Sequence, residues 1–349
     1  MKQYLTFLFC AAGALLAGCQ HFYTVSAARS EQGGIYFSRI RKAVLPGANY
    51  LIRRGHILYA TLNRVPGRKD RMGALAVLKE SAGGNLEVLQ IVPVNGWTPC
   101  HLTVSPDGKF LYTANYSSGD ISEFALNGES VQGPPRRISH TGKGVTKRQK
   151  APHPHFTGFS PDGKQLFVCD LGTDEIVIYN YQNGLVLPAV CKLKLPPGSG
   201  PRHLIFDPSG EVFYTANELN STASSFRKNR NRWELVRTVS TLEKGTRVRN
   251  SPGAIKITPD GRFFFITNRG HDSLALFETV EKGRFHLVGT FASPGRFPSD
   301  ILVSDSGRRL IVSHLKSGSV HQFMFDPEKK KITAEPEMIQ IPQAIALCQ

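Results

Sequence analysis

Four side chains of this 349-residue chain have types that suit proton transfer and charge stabilisation, and each stands at a comparable place in a recurring pattern. His155 follows Pro154, Arg202 follows Gly200-Pro201, Glu218 follows Asn217, and Arg269 follows Asn268. Together they supply imidazole, guanidinium and carboxylate groups, which can accept a proton, donate one and stabilise a developing oxyanion. His155 and Glu218 are the candidate bases. An imidazole is the better base near neutral pH, because a carboxylate must be buried to rise from its ordinary range of about 4.3. Arg202 and Arg269 suit an oxyanion, or a substrate carboxylate or phosphate, through their planar, permanently charged forks. His101, Asn115, His203 and Asn217 occupy matching places nearby and are candidate substrate-binding groups.

Other chemistries find less support. No Gly-x-Ser-x-Gly elbow offers a nucleophilic serine. His101, His153 and His155 are the donors a metal site would use, but His-x-His alone is too short a pattern to specify one, so no metal or other cofactor is expected. Cys100, Cys169, Cys191 and Cys348 show no CxxC or CxxCH spacing. Cys169 and Cys191 lie in apolar strand-like runs, where a buried thiol acts as a small hydrophobe.

The elements that must hold these residues come from internal repetition. The strings Ser105-Pro-Asp-Gly, Ser160-Pro-Asp-Gly, Asp207-Pro-Ser-Gly, Thr258-Pro-Asp-Gly and Ser304-Asp-Ser-Gly end at glycines 108, 163, 210, 261 and 307, spaced 46 to 55 residues apart. Each lies between two alternating strands. Pro presets φ for a turn, Asp accepts local backbone hydrogen bonds and Gly tolerates positive φ, so each string predicts a β-hairpin. A third strand follows, as in Asp120-Ile-Ser-Glu-Phe-Ala-Leu, and then a fourth. Four strands in about 40 to 50 residues is the unit of a β-propeller blade. Gly55 marks a degenerate sixth copy, and Tyr23–Ile40 together with Glu335–Leu347 supply one more blade. The expected fold is therefore all-β, a seven-bladed β-propeller whose last blade is closed by N- and C-terminal strands. Its mouth gathers the loops that lead into the inner strands, where His101, His155 and Arg202-His203 stand.

A formal charge of +16 admits nucleic acid, acidic glycans or anionic membranes as partners. The excess is concentrated in residues 136–150 and 227–237, read here as a solvated basic rim. The N-terminus argues against nucleic acid: Lys2, an apolar run from Tyr4 to Leu16 and Leu16-Ala-Gly-Cys19 have the form of a bacterial lipoprotein signal. Residues 1–18 would be removed and Cys19 lipidated, leaving 19–349 as the mature domain. The expectation is an exported lipoprotein, anchored to a membrane through Cys19 and facing the periplasm or the cell exterior.

The stretches Gly200-Pro-Arg-His, Asn217-Glu-Leu-Asn-Ser-Thr, Pro154-His155, Asp170-Leu-Gly-Thr-Asp, Asn115-Tyr116 and Asn268-Arg-Gly-His-Asp-Ser resemble a known family. It is the seven-bladed lactonase group that includes bacterial 6-phosphogluconolactonase and fungal carboxy-cis,cis-muconate cyclase. The resemblance covers Tyr23 to the C-terminus and implies cleft roles for His155, Arg202, Glu218 and Arg269. This chain departs from the family pattern at Ala254, where an acid is usual, at Ser299, where an arginine is usual, and at His314, where an asparagine is usual; Arg296 is a possible replacement for the lost guanidinium. The reading is a lactonase for a sugar-type lactone or sugar acid. A non-catalytic binding lipoprotein and a muconate-type cycloisomerase are the alternatives.

Overall fold

The computed structural model describes residues 22–349 apart from Asn231, so Cys19 and the signal segment lie outside the described residues. Seven four-stranded antiparallel sheets succeed one another around a central channel. Blades 1 to 6 each use four consecutive strands, with inner strands Ala48–Arg54, Pro99–Val104, Pro154–Phe159, Pro201–Phe206, Ser251–Ile257 and Pro298–Val303. Blade 7 joins the two ends of the chain: Ala344–Cys348 is its inner strand, with Tyr23–Ser26, Gly34–Phe37 and Ile40–Val44 outside it. Tyr23 pairs with Cys348 and Thr24 with Leu347, so the ring closes through backbone hydrogen bonds and leaves no open edge there. The C-terminal contribution is shorter than expected. Lys331–Gln340 is instead the outer strand of blade 6, because the tight turn after Asp326 folds it straight back onto Ser319–Asp326.

The recurring turn has two physical reasons. In the second blade Ser105 donates to Asp107 Oδ1 at 2.6 Å, the Lys109 N–H donates to the same oxygen, and the Phe110 N–H donates to Ser105 Oγ, while Gly108 takes φ +74°. The turn is thus specified locally. The glycines also carry the contact between blades: a Cβ on Gly163 would lie 2.9 Å from Pro106, and one on Gly261 would lie 2.8 Å from Pro208. Each of these glycines fits against the turn proline of the preceding blade.

Sheets packed face to face bury both sides of their middle strands, which therefore read as unbroken apolar runs. In Phe263-Phe-Phe-Ile266 every side chain is buried. Phe263 and Phe265 join the cluster shared with blade 6, whereas Phe264 and Ile266 join the one shared with blade 4. The turns lie on one face of the ring and the inner strands begin on the other.

Candidate active site

In all seven blades the pairing of the inner strand slips by one residue near its start, after the first pair in six blades and after the second in blade 5. A bulge of this kind re-aims the extra residue out of the sheet. The residues at this step are Asn49, Cys100, His155, Arg202, Gly253, Ser299 and Ile345, and all but Gly253 line one cavity of about 270 Å³ at the mouth. That lies at the small end of ligand cavities, roughly 300–1,000 Å³, and suits one monosaccharide-sized ligand. At Gly253 a side chain has no room: a Cβ there would lie 2.5 Å from Thr267 Oγ1 and 3.3 Å from Arg269 Nε. The guanidinium of Arg269 takes the place beside it, donating from Nε to the Ser251 carbonyl at 2.9 Å and from Nη2 to the Pro252 carbonyl at 3.1 Å.

Glu218 organises the cationic side of the cavity. Its Oε2 accepts from Arg269 Nη2 at 2.6 Å and lies 3.3 Å from Arg202 Nε; its Oε1 accepts from Arg148 Nη1 at 2.6 Å. Burial opposes ionisation of this carboxyl, but Arg269 and Arg202 outweigh it and hold the group well below the usual carboxylate range. Burial, with Arg269 alongside, draws the Arg202 guanidinium down to about 10. It remains charged at neutral pH. Arg202 Nη1 also donates to His203 Nε2 at 3.1 Å, which fixes the His203 proton on Nδ1.

His155 is buried beside these charges, and its Nδ1 has no hydrogen-bond partner among the described residues. Burial, reinforced by Arg202, holds its pKa well below that of an ordinary imidazole, so it is neutral at pH 7. The neutral imidazole can accept a proton, while the two guanidinium groups in the same cavity weaken it as a base.

The model of the family described as "Lactonase, 7-bladed beta-propeller" matches residues 22–348. The chain belongs to this lactonase family. It is 31% identical over 292 residues to a 6-phosphogluconolactonase of Bacillus subtilis, covering 80% of this chain and 81% of that one. Among solved structures it resembles the periplasmic gluconolactonase of Pseudomonas aeruginosa, with TM-score 0.86 and 26% identity over 94% of this chain and 98% of that one. A protein of Lactobacillus plantarum at 23% identity and TM-score 0.85 shares the fold.

Within this lactonase propeller the four residues expected to form the cleft, His155, Arg202, Glu218 and Arg269, converge on one cavity, and His203 lines it as well. Asn115 and Asn217 do not. Each is fully buried and spends its amide within its own blade: Asn217 Nδ2 donates to Thr222 and Ser224 and its Oδ1 accepts from Thr215, with Asn115 arranged likewise toward Asp120, Ser122 and Thr113. They hold the strand end from which Tyr116 and Glu218 project. His101 stands one step deeper, between the rings of Tyr50 and Phe156 at 4.2 and 4.4 Å, as part of a plug across the channel. The metal alternative is not assembled: His153 stacks on Tyr116 and its Nδ1 meets the Tyr116 carbonyl at 2.8 Å, while His101 is enclosed in the plug. Cys100 reaches the cavity wall, yet burial pushes its thiol up to about 12, which removes it as a thiolate nucleophile.

The departures from the family pattern fall in different places. Ser299 occupies the mouth position of blade 6. Ala254 lies one step below the mouth, fully buried with Phe265 and Ile301, so it is no vacant carboxylate position on the cavity wall. His314 stands where other blades have Asn115, Asn217 or Asn268 and is held by Ser293 and the Ser319 carbonyl. Arg296 is exposed and outside the cavity lining, because its loop turns it to solvent. Arg148, Tyr116, Asn49 and Tyr50 line the cavity but were not foreseen. The only signal for Arg148 lay in the basic run 136–150, which reads as a solvated rim until its path over the mouth is known.

Proposed function

We propose that the protein hydrolyses a sugar-type lactone. Water is bound beside His155, which takes a proton from it as the oxygen attacks the lactone carbonyl. Arg202 and Arg269 carry the negative charge that develops on the carbonyl oxygen. The ring C–O bond then breaks, and the imidazolium returns its proton to the departing alkoxide, giving the open hydroxy acid. Glu218 was expected to share in proton transfer. With both oxygens engaged by arginines, it is better suited to aligning those guanidinium groups.

The observation that carries this reading is the neutral, unpartnered His155 imidazole in one small cavity with Arg202 and Arg269. The B. subtilis and P. aeruginosa relatives support it by their names, and an unphosphorylated or phosphorylated aldonolactone is the substrate to try first. The test is turnover of D-glucono-1,5-lactone and its 6-phosphate after subtraction of spontaneous opening. Wild-type activity that disappears with His155→Gln is the expected result; no turnover of either lactone by the wild type would end the hydrolase reading.

Export belongs to the same proposal. With Cys19 lipidated, the anchor would precede Tyr23, which pairs with the last residues of the inner strand on the turn face of the ring. The mouth would then point away from the membrane. Loss of palmitate labelling in Cys19→Ala is expected; labelling that persists would remove the anchor.

A further inference from the structure

The segment 140–153 runs from blade 2 to blade 3 across the mouth without regular secondary structure, yet its backbone is firmly fixed. Gln149, fully buried, donates from Nε2 to the Leu171 carbonyl at 2.9 Å and to Asp174 Oδ1 at 2.7 Å, while its Oε1 accepts the Thr146 N–H. The same Asp174 carboxylate accepts the N–H groups of Gly198 and Gly200, immediately before Arg202. One carboxylate therefore joins the strap to the start of the blade 4 inner strand. The residue before Gln149 is Arg148, so the fixed strap carries its guanidinium to the cavity wall.

Arg148 differs from the other two arginines on Glu218. The side chains of Arg202 and Arg269 are 12% exposed and share Oε2; that of Arg148 is 50% exposed, takes Oε1 and donates from Nη2 to the Tyr116 hydroxyl at 2.9 Å. Three guanidinium groups thus converge on one carboxylate. The other acid in the cavity lining is Asp300, which already accepts the Ile301 and Leu347 N–H groups and lies in the field of Lys256. The cavity holds more positive charge than its own acids neutralise, and the excess is most accessible at Arg148.

We propose that Arg148 is a specificity-determining residue: its guanidinium leaves Glu218 Oε1 for a second oxyanion, phosphate or carboxylate, on the substrate chain remote from the lactone carbonyl. Arg202 and Arg269 stay on Oε2, so the reacting end keeps its geometry while the strap reads the substrate's charge. This rests on the lactonase reading for its catalytic consequence, but not for binding. A charge-assisted contact of this type is worth about tenfold in affinity or more.

The experiment compares Arg148→Gln and Arg148→Lys with wild type in two independent ways. In turnover, the ratio of kcat/KM for 6-phosphogluconolactone over gluconolactone should fall about tenfold or more in Arg148→Gln and recover in part in Arg148→Lys. In calorimetry, wild type should bind 6-phosphogluconate or glucarate more tightly than gluconate, and Arg148→Gln should erase that preference; which of the two acids benefits identifies phosphate or carboxylate. A wild type that turns over neither lactone but shows the Arg148-dependent preference in binding retains this proposal and loses the hydrolase reading. Turnover with an unaltered charge ratio, or proportional losses on charged and neutral ligands, overturns the proposal and leaves Arg148 as a structural partner of Glu218.

Discussion

The same backbone bulge occurs around the whole mouth, but the two arcs it forms are chemically unlike. Blades 3 to 5 present His155, Arg202 and, beside Gly253, Arg269 with Glu218 behind it; blades 6, 7, 1 and 2 present Ser299, Ile345, Asn49 and Cys100. Backbone geometry therefore does not distinguish the arcs. What differs is the side chain at the step and the support behind it: the charged arc has a buried carboxylate holding its guanidinium groups, whereas Ser299 donates to the Phe297 carbonyl within its own turn. The fold supplies seven equivalent positions, and a few substitutions decide which of them can do chemistry.

Breaking the charged arc should have the largest effects. His155→Gln is expected to reduce lactone kcat/KM by about 10²-fold or more, the usual contribution of a positioned base. Because burial and Arg202 hold the His155 pKa well below 6.5, wild-type kcat/KM should stay level as pH falls from 7.5 through 6.5 and drop only in stronger acid. An acid limb centred at or above 6.5 would contradict the assignment, as would one that survives in the variant. Arg202→Ala should cost about 10²-fold with the fold intact by circular dichroism, as loss of an oxyanion donor typically does; a loss under threefold would remove Arg202 from the chemical step.

The quiet arc should respond less, and differently. Ser299→Arg adds a guanidinium at an equivalent bulge, so KM for a phosphorylated lactone should fall several-fold while kcat changes little. A large change in kcat would show that this arc touches the reacting atoms. Ala254→Glu, by contrast, places a carboxylate in an apolar, fully buried position. It should lower the urea midpoint without adding activity, since burying a charge without built-in partners is costly.

The smallest expected effect concerns the scaffold of the arcs. His314 has its pKa lowered to about 4, chiefly by burial and then by His321. As pH falls from about 6.5 toward 4, the unfolded chain takes up this proton and the folded one does not, so stability is lost across that window. His314→Asn, which restores the amide found in blades 2, 4 and 5, should flatten the pH dependence of the urea midpoint between 6.5 and 4. An unchanged slope would show that His314 does not titrate this way.

Much of the architecture was legible because it is written locally. The Ser-Pro-Asp-Gly turns carry their own hydrogen bonds, and their period counts the blades. His155 and Arg202 stand at the start of inner strands, and Glu218 and Arg269 stand at or just past the end of second strands, so all four belong to hairpin ends that meet at one mouth. The roles of their neighbours were not legible. Asn217 and Glu218 are adjacent, yet one is consumed inside the blade and the other faces the cavity; Cys100 lines the cavity while its neighbour His101, expected to bind substrate, does not. A single-residue slip moves a side chain to the opposite side, and nothing in the composition of the strand announces it.

The sequence by itself determined the repeat, the turn chemistry and the closing of the ring by both chain ends, because these follow from short-range periodicity and residue type. Tertiary structure alone decided that Arg148 comes back over the mouth from a strap fixed at Asp174, that three arginines share one carboxylate, and that Ala254 is buried below the cavity. Those facts depend on bulge register and on a long irregular segment whose path is set by partners 20 to 70 residues away, and such non-local contacts have no signature in the residues that make them.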